Sequence, residues 1–317
     1  MTRSALLVQV AAGTLALAVA ACTGGGAREL EREAVRVPPV GPIRTVPEPT
    51  SGPLPGRVVF HDRGGDLWTM RGDGTVRRRL TQSGEGFDLD PAWSPDGRLV
   101  VFRSTRDPSP EEGLLVIDAD GSGERTFRAG AAFADWSPDG RHVVFSAAGG
   151  RISVADRAGG NVRSLGAEGE CAEWSPTGEK IAYCHLDENQ HWDAWVIDAD
   201  GGNKRRLTSG ARGEYPQGWS PDGRQIVVWN QGNGAAERLS VIGADGSGPE
   251  PLTGLRSEHE GFGAWLPDGR LLISIDYSAR AMHGWYVMQP GSRRQFMPVL
   301  RSLAAVCCGE GQLDWLP

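Results

Sequence analysis

Trp93-Ser94-Pro95-Asp96-Gly97 decides how the chain is read, because the pattern returns along its length. It recurs as Trp136-Ser137-Pro138-Asp139-Gly140, Trp174-Ser175-Pro176-Thr177-Gly178 and Trp219-Ser220-Pro221-Asp222-Gly223. A variant stands at Trp265-Leu266-Pro267-Asp268-Gly269, and the chain ends on Trp315-Leu316-Pro317. Successive tryptophans lie 43, 38, 45, 46 and 50 residues apart, the period of propeller blades.

The motif is hairpin chemistry. Ser at the first turn position, Pro at the second and Gly at the fourth suit a type I turn. A β-rich run follows each turn: Leu99–Phe102, His142–Phe145, Lys180–Cys184, Gln225–Trp229 and Leu271–Ile275. Third strands are expected at Leu114–Asp118, Trp195–Asp198 and Leu239–Ile242. Short basic fourth strands are expected at Arg77–Thr81, Glu124–Arg128 and Lys204–Thr208. Such a meander cannot bury both faces alone, so the units must stack. Residues Gly56–Thr81 supply three strands of a unit without its tryptophan, and Gln312–Leu316 supply the missing first strand. The expectation is an all-β, six-bladed β-propeller of four-stranded antiparallel blades over 56–317, closed by the C-terminal strand joining the N-terminal blade.

These residues resemble the TolB-type propeller repeats, whose signature is the Trp-Ser-Pro-Asp-Gly turn followed by a second Asp-Gly turn and Leu-Thr. The resemblance covers essentially all of 56–317. Unlike TolB itself, the sequence shows no α/β pattern ahead of the repeats. The same repeats also occur as gating domains of prolyl-oligopeptidase-type enzymes.

Residues 1–21 carry one charge, Arg3, and an Ala-rich apolar stretch, which reads as a secretory signal. It ends Val19-Ala20-Ala21-Cys22, resembling a bacterial lipobox, so Cys22 is the expected lipidation site. Residues 22–55 read as a lipidated Cys and a Pro/Gly-rich linker. The expected location is therefore outside the cytoplasm, lipid-anchored at the outer face of the plasma membrane or in the periplasm or outer membrane. With 33 Lys+Arg against 40 Asp+Glu, the net charge is −7, which argues against nucleic acid as a partner.

Meander topology divides the connecting loops between two faces. Stereotyped Pro-Asp-Gly and Asp-Gly turns occupy one. Loops of variable length occupy the other, where function is expected. His61, His185, His191, His259 and His283 map to that second face. Five residues before each motif Trp stand Asp88, Ala131, Gly169, Glu214, Glu260 and Glu310, read as an acidic collar around the channel entrance. The plainer reading is that such an acid caps the incoming turn. A three-dimensional grouping of His61, Asp62, His259, Glu260, Asp276, His283 and Glu310 is a candidate site for a divalent cation. The linear cluster from His185 to Asp193 matches no strong metal signature and reads as a solvated loop.

Of five cysteines, four remain beyond Cys22. Folding the hairpin about Pro176–Thr177 places Cys171 nearly opposite Cys184, within reach of a disulfide. Cys307 and Cys308 have no assigned redox state.

No nucleophile elbow or phosphate loop is present. The leading expectation is a monomeric, envelope-tethered scaffold that binds a protein or peptide, a basic one for preference, through its acidic channel face with no cofactor required. The alternative is a metal-dependent propeller lyase or hydrolase acting on a sugar or lactone.

Overall fold

In this computed structural model the described residues are 56–316, without 63, 107–112, 211–212, 232–236, 253–258, 278–281, 291–295 and 299–312. They form a six-bladed β-propeller with no helix among them. Signal, linker, Cys22, Glu310, Cys307 and Cys308 lie outside them.

Blade 1 holds β1 (Arg57–His61), β2 (Leu67–Arg71) and β3 (Arg78–Arg79). Blade 2 runs β4 (Asp88–Trp93), β5 (Leu99–Ser104), β6 (Gly113–Asp118) and β7 (Arg125–Ala129). Blade 3 runs β8 (Ala132–Trp136), β9 (His142–Ala147), β10 (Arg151–Asp156) and β11 (Arg163–Glu168). Blade 4 has β12 (Glu170–Trp174), β13 (Lys180–Leu186), β14 (Trp192–Asp198) and β15 (Arg205–Arg206). Blade 5 has β16 (Glu214–Trp219), β17 (Gln225–Asn230), β18 (Arg238–Gly243) and β19 (Glu250–Pro251). Blade 6 has β20 (His259–Trp265), β21 (Leu271–Tyr277), β22 (Met282–Met288) and β23 (Phe296–Pro298). The last strand, β24 (Leu313–Leu316), pairs antiparallel with β1, setting Arg57 opposite Leu316 and Phe60 opposite Leu313.

The motif serine explains the turn's constancy. Ser94 Oγ accepts the Leu99 N–H at 2.9 Å and donates to Asp96 Oδ1 at 2.6 Å. Asp96 Oδ1 also accepts the Arg98 N–H, while the Gly97 N–H returns to the Ser94 carbonyl at 2.7 Å. Gly97 is left-handed at φ +64, which glycine reaches without a Cβ penalty. Ser137 and Ser220 repeat these bonds with Asp139 and Asp222. In blade 6, Leu266 has no hydroxyl, and its N–H bonds one residue earlier, to the Arg270 carbonyl.

The motif tryptophans of blades 2 to 6 wedge each blade against the one before. Trp93 packs among Val59, Leu67, Val100 and Phe102, from blades 1 and 2. Trp136 joins blades 2 and 3, Trp174 blades 3 and 4, and Trp219 blades 4 and 5. The partly buried Trp265 packs likewise between blades 5 and 6; an indole buries well over 100 Å², so these wedges carry much of the inter-blade cohesion.

The fourth-strand basic residues do more than guard exposed edges. Arg79 turns inward to the carboxylate of Asp66, and Arg206 to the fully buried Asp193. In both blades the following Thr finishes the clamp: Thr81 Oγ1 accepts the Leu67 N–H and Thr208 Oγ1 the Ala194 N–H, each at 2.9 Å. A buried carboxylate needs such partners, and the shared Arg-Arg-Leu-Thr sequence supplies them.

Candidate functional site

The innermost strands β4, β8, β12, β16, β20 and β24 line a central cavity of about 500 Å³. It reaches Pro95, Pro138, Pro176, Pro221 and Pro267, so it lies toward the motif turns, the face expected to be stereotyped and idle.

Its chemistry comes from the residue directly before each motif Trp: Ala92, Asp135, Glu173, Gly218, Ala264 and Asp314. Three of these are carboxylates, and all three line the cavity together with Asp90, while none of its described lining residues is Lys, Arg or His. Asp90 is committed to Arg103 at 2.7 Å. Asp135 spends its two oxygens on the backbone N–H groups of Trp136 at 2.8 Å and Trp174 at 2.7 Å. Asp314 accepts the Trp93 N–H at 2.6 Å. Glu173 keeps Oε2 buried with no hydrogen-bond partner among the described residues.

Burial, followed by the charge of Asp314, pushes the Asp135 carboxyl up to about 7 against its two N–H donors. Glu173 is held well above the usual range by burial, then by the charges of Asp135 and Asp314. Acids that raise one another in this way share protons at neutral pH and ionise when a cation arrives.

A backbone irregularity aims these side chains. Each of β4, β8, β12, β16 and β20 carries a register shift just ahead of its Trp. Asp90, Phe133 and Cys171, three residues before their tryptophans, are left-handed at φ +52, +51 and +57. A one-residue bulge exchanges which side chains meet the channel.

The expected collar fares differently. Asp88 is fully buried, takes hydrogen bonds from Ser104 at 2.7 Å and Arg106 at 2.9 Å, and does not line the cavity. Burial raises its carboxyl even so. Glu214 accepts the Gly210 N–H at 3.2 Å, the turn-capping role weighed as the plainer reading. Asp62 is likewise local, accepting from Gly64, Asp66 and the Trp68 indole, while His61 Nδ1 lies 3.3 Å from the Asp62 carbonyl. For His259, Glu260, Asp276 and His283 the structure gives strand positions: His259 pairs with Asp276, which pairs with His283, and Glu260 pairs with Ile275. In the linear cluster Asp187 caps its own turn through the Asn189 and His191 N–H groups, and His185 stands edge-on to Trp195. Among the described residues no three His, Cys, Asp or Glu side chains are grouped to hold a metal. A disulfide joins Cys171 to Cys184 with the Cα atoms 5.6 Å apart.

Fold and channel define a six-bladed propeller with an acidic axis. The chain belongs to the TolB beta propeller domain family, PD40, which matches residues 75–269. A protein described as a TolB homolog from Chlorobium luteolum is 40% identical over 52 residues, 16% of this chain and only 12% of that protein. The structure of TolB from Acinetobacter baumannii superposes with a TM-score of 0.62 at 17% identity, covering 84% of this chain and 68% of that one. An oligogalacturonate lyase from Vibrio parahaemolyticus gives 0.54 at 15% identity, covering 74% and 75%. At these identities the structural likeness is one of fold.

Proposed function

We propose that the protein is a binding propeller, tethered to the cell envelope through lipid on Cys22, that receives a basic segment of a protein or peptide in its channel. One observation carries this reading: Asp135, Glu173 and Asp314 converge on a tryptophan-lined cavity whose described walls hold no basic side chain. Charge of one sign in a narrow low-dielectric opening focuses potential on an incoming cation, and indole faces add cation–π attraction. Membership of a family that includes TolB supports a scaffold role, and the lipobox-like Val19-Ala20-Ala21-Cys22 supports the envelope location.

The test is calorimetric titration of the full-length protein in detergent with Lys/Arg-rich and with uncharged peptides of equal length. Basic peptides should bind tighter, more so as pH rises through 7, and release protons that a change of buffer reveals. D135N and E173Q should each weaken them about tenfold, the scale of one lost charged hydrogen bond. Equal affinity for both peptide sets, or unchanged affinity in both variants, would reject the channel reading. Mass spectrometry of the anchored chain, lost in C22S, tests the tether.

A second reading rests on the paired strand positions of His259, Asp276 and His283 in blade 6. It is a metal-dependent lyase or hydrolase on a sugar or lactone, with these residues holding a divalent cation. Metal analysis of the purified protein and of H283A decides it.

A further inference from the structure

The turn joining β2 to β3 departs from its counterparts at one position. Val76 is left-handed there, at φ +53, and 64% exposed. It follows Thr75, whose carbonyl closes the turn by accepting the Arg71 N–H. At the same place stand Gly123 in blade 2, Asn161 in blade 3 and Asn203 in blade 4, with φ +66, +50 and +47. Glycine and asparagine enter this region readily, whereas a β-branched side chain is strained in it. Val76 is therefore disfavoured twice in water, by its backbone and by its exposed apolar surface. The two residues after it carry unspent charge. Arg77 and Arg78 are exposed and make no hydrogen bond or ion pair among the described residues; the Arg77 guanidinium lies over the Trp68 ring at 4.3 Å. Asp120 is lowered by its bonds to Ser122 and then by the Arg78 charge, without an ion pair between the two. In blade 4 the counterparts are committed, Lys204 to the Gly166 carbonyl and Arg205 to that of Asp245. In blade 3, Arg163 holds the Ala199 carbonyl at 2.6 Å.

Charge and chain path point the same way. Residues 56–81 hold six arginines against three acids, in a chain whose net charge is −7. The Gly72 N–H donates to the Gly56 carbonyl at 2.8 Å, so this turn abuts the start of β1, where the segment leading back to Cys22 joins the propeller. An exposed apolar side chain beside free arginines fits an anionic surface with an apolar interior beneath it. We propose that the Val76–Arg78 turn docks on anionic lipid headgroups of the membrane that holds the Cys22 anchor, with Val76 entering the boundary between headgroups and acyl chains. Lipid on Cys22 supplies retention, and the turn supplies orientation, holding blade 1 toward the bilayer. The inference rests on the reading of the protein as lipid-tethered and is independent of what enters the channel.

The experiment reconstitutes the full-length protein, extracted in detergent, into vesicles of phosphatidylcholine alone or mixed with phosphatidylglycerol. Phenylglyoxal labelling of arginines is then read position by position by mass spectrometry. On anionic vesicles Arg77 and Arg78 should label about fivefold more slowly, the scale of one cation held at a charged surface. Exposed Arg224, in blade 5, should label equally on both, and high salt should erase the difference. V76N installs the residue that blades 3 and 4 use, so its thermal midpoint should not fall, yet most of the protection should be lost. Equal labelling on the two vesicles overturns the docking, and full protection in V76N overturns the insertion of Val76. Protection by soluble polyglutamate as strong as that by anionic vesicles would assign the turn to an acidic protein and overturn the lipid assignment. If the protein floats with both vesicles but shows no protection, the turn falls and the tether stands. If it floats with anionic vesicles alone, the tether falls and the turn stands.

Discussion

Asp135 on blade 3 accepts the backbone N–H of Trp174 on blade 4 at 2.7 Å, so one carboxylate fixes the inner strand of its neighbour. Two other junctions use the same device: Asp314 accepts from Trp93 at 2.6 Å, and Gln217 from Gly263 at 2.9 Å. The tryptophan wedges supply apolar area without direction. These bonds, in a low-dielectric axis where a hydrogen bond is electrostatically stronger, set the depth at which each inner strand sits.

The acid that stitches blades 3 and 4 should also make stability depend on pH. The folded carboxyl titrates at about 7 against 3.8 for the free group, so the native state holds the extra proton in between. Its contribution is fully present below about pH 4 and is lost as pH rises through 7. Urea midpoints should fall from pH 5 to pH 8, and D135N should flatten that fall. Identical slopes in both proteins would show that another group is responsible.

Removing the motif hydroxyl isolates the turn. S94A leaves the buried Leu99 N–H without its acceptor and should cost about 1–3 kcal/mol. S220A should behave alike, since Ser220 accepts the Gln225 N–H at 2.8 Å. Chemical denaturation measures both, and a loss below about 0.5 kcal/mol would mean that backbone and glycine alone hold the hairpin.

At the outer clamp, R206M strands the fully buried Asp193. Because Arg206 is itself 37% exposed, the expected loss is about 2 kcal/mol, below that for a fully buried pair. D193N added to R206M should recover part of it. A double-mutant cycle with no coupling would show that Arg206 does not clamp Asp193.

The disulfide ties β12 to β13 across a separation of 13 residues. Closing a loop of this size stabilises by about 3 kcal/mol on chain entropy, so C171S/C184S should lower the thermal midpoint by several degrees. Alkylation of denatured, unreduced protein should leave positions 171 and 184 unlabelled; two reactive thiols there would refute the bond.

Blade number, strand order and turn chemistry were legible in the chain because each rests on local rules: tryptophan spacing, the Ser-Pro-Asp-Gly turn, and alternation in short β-rich runs. The acids of the channel were not. The recurring position five residues before each motif Trp selected Asp88, yet in the fold, ahead of the bulge at Asp90, Asp88 turns to Ser104 and Arg106. The acids Asp135, Glu173 and Asp314, directly before their tryptophans, were visible as letters, but nothing local says that a side chain there meets the axis.

By itself, then, the sequence determined a repeating antiparallel meander stacked on indoles, since turn geometry and apolar burial depend on residues close together in the chain. Only the tertiary structure decided which carboxylates share a cavity and which are spent as clamps. That outcome depends on bulges in separate inner strands and on the shared dielectric of a channel to which all six blades contribute, and neither belongs to any single repeat.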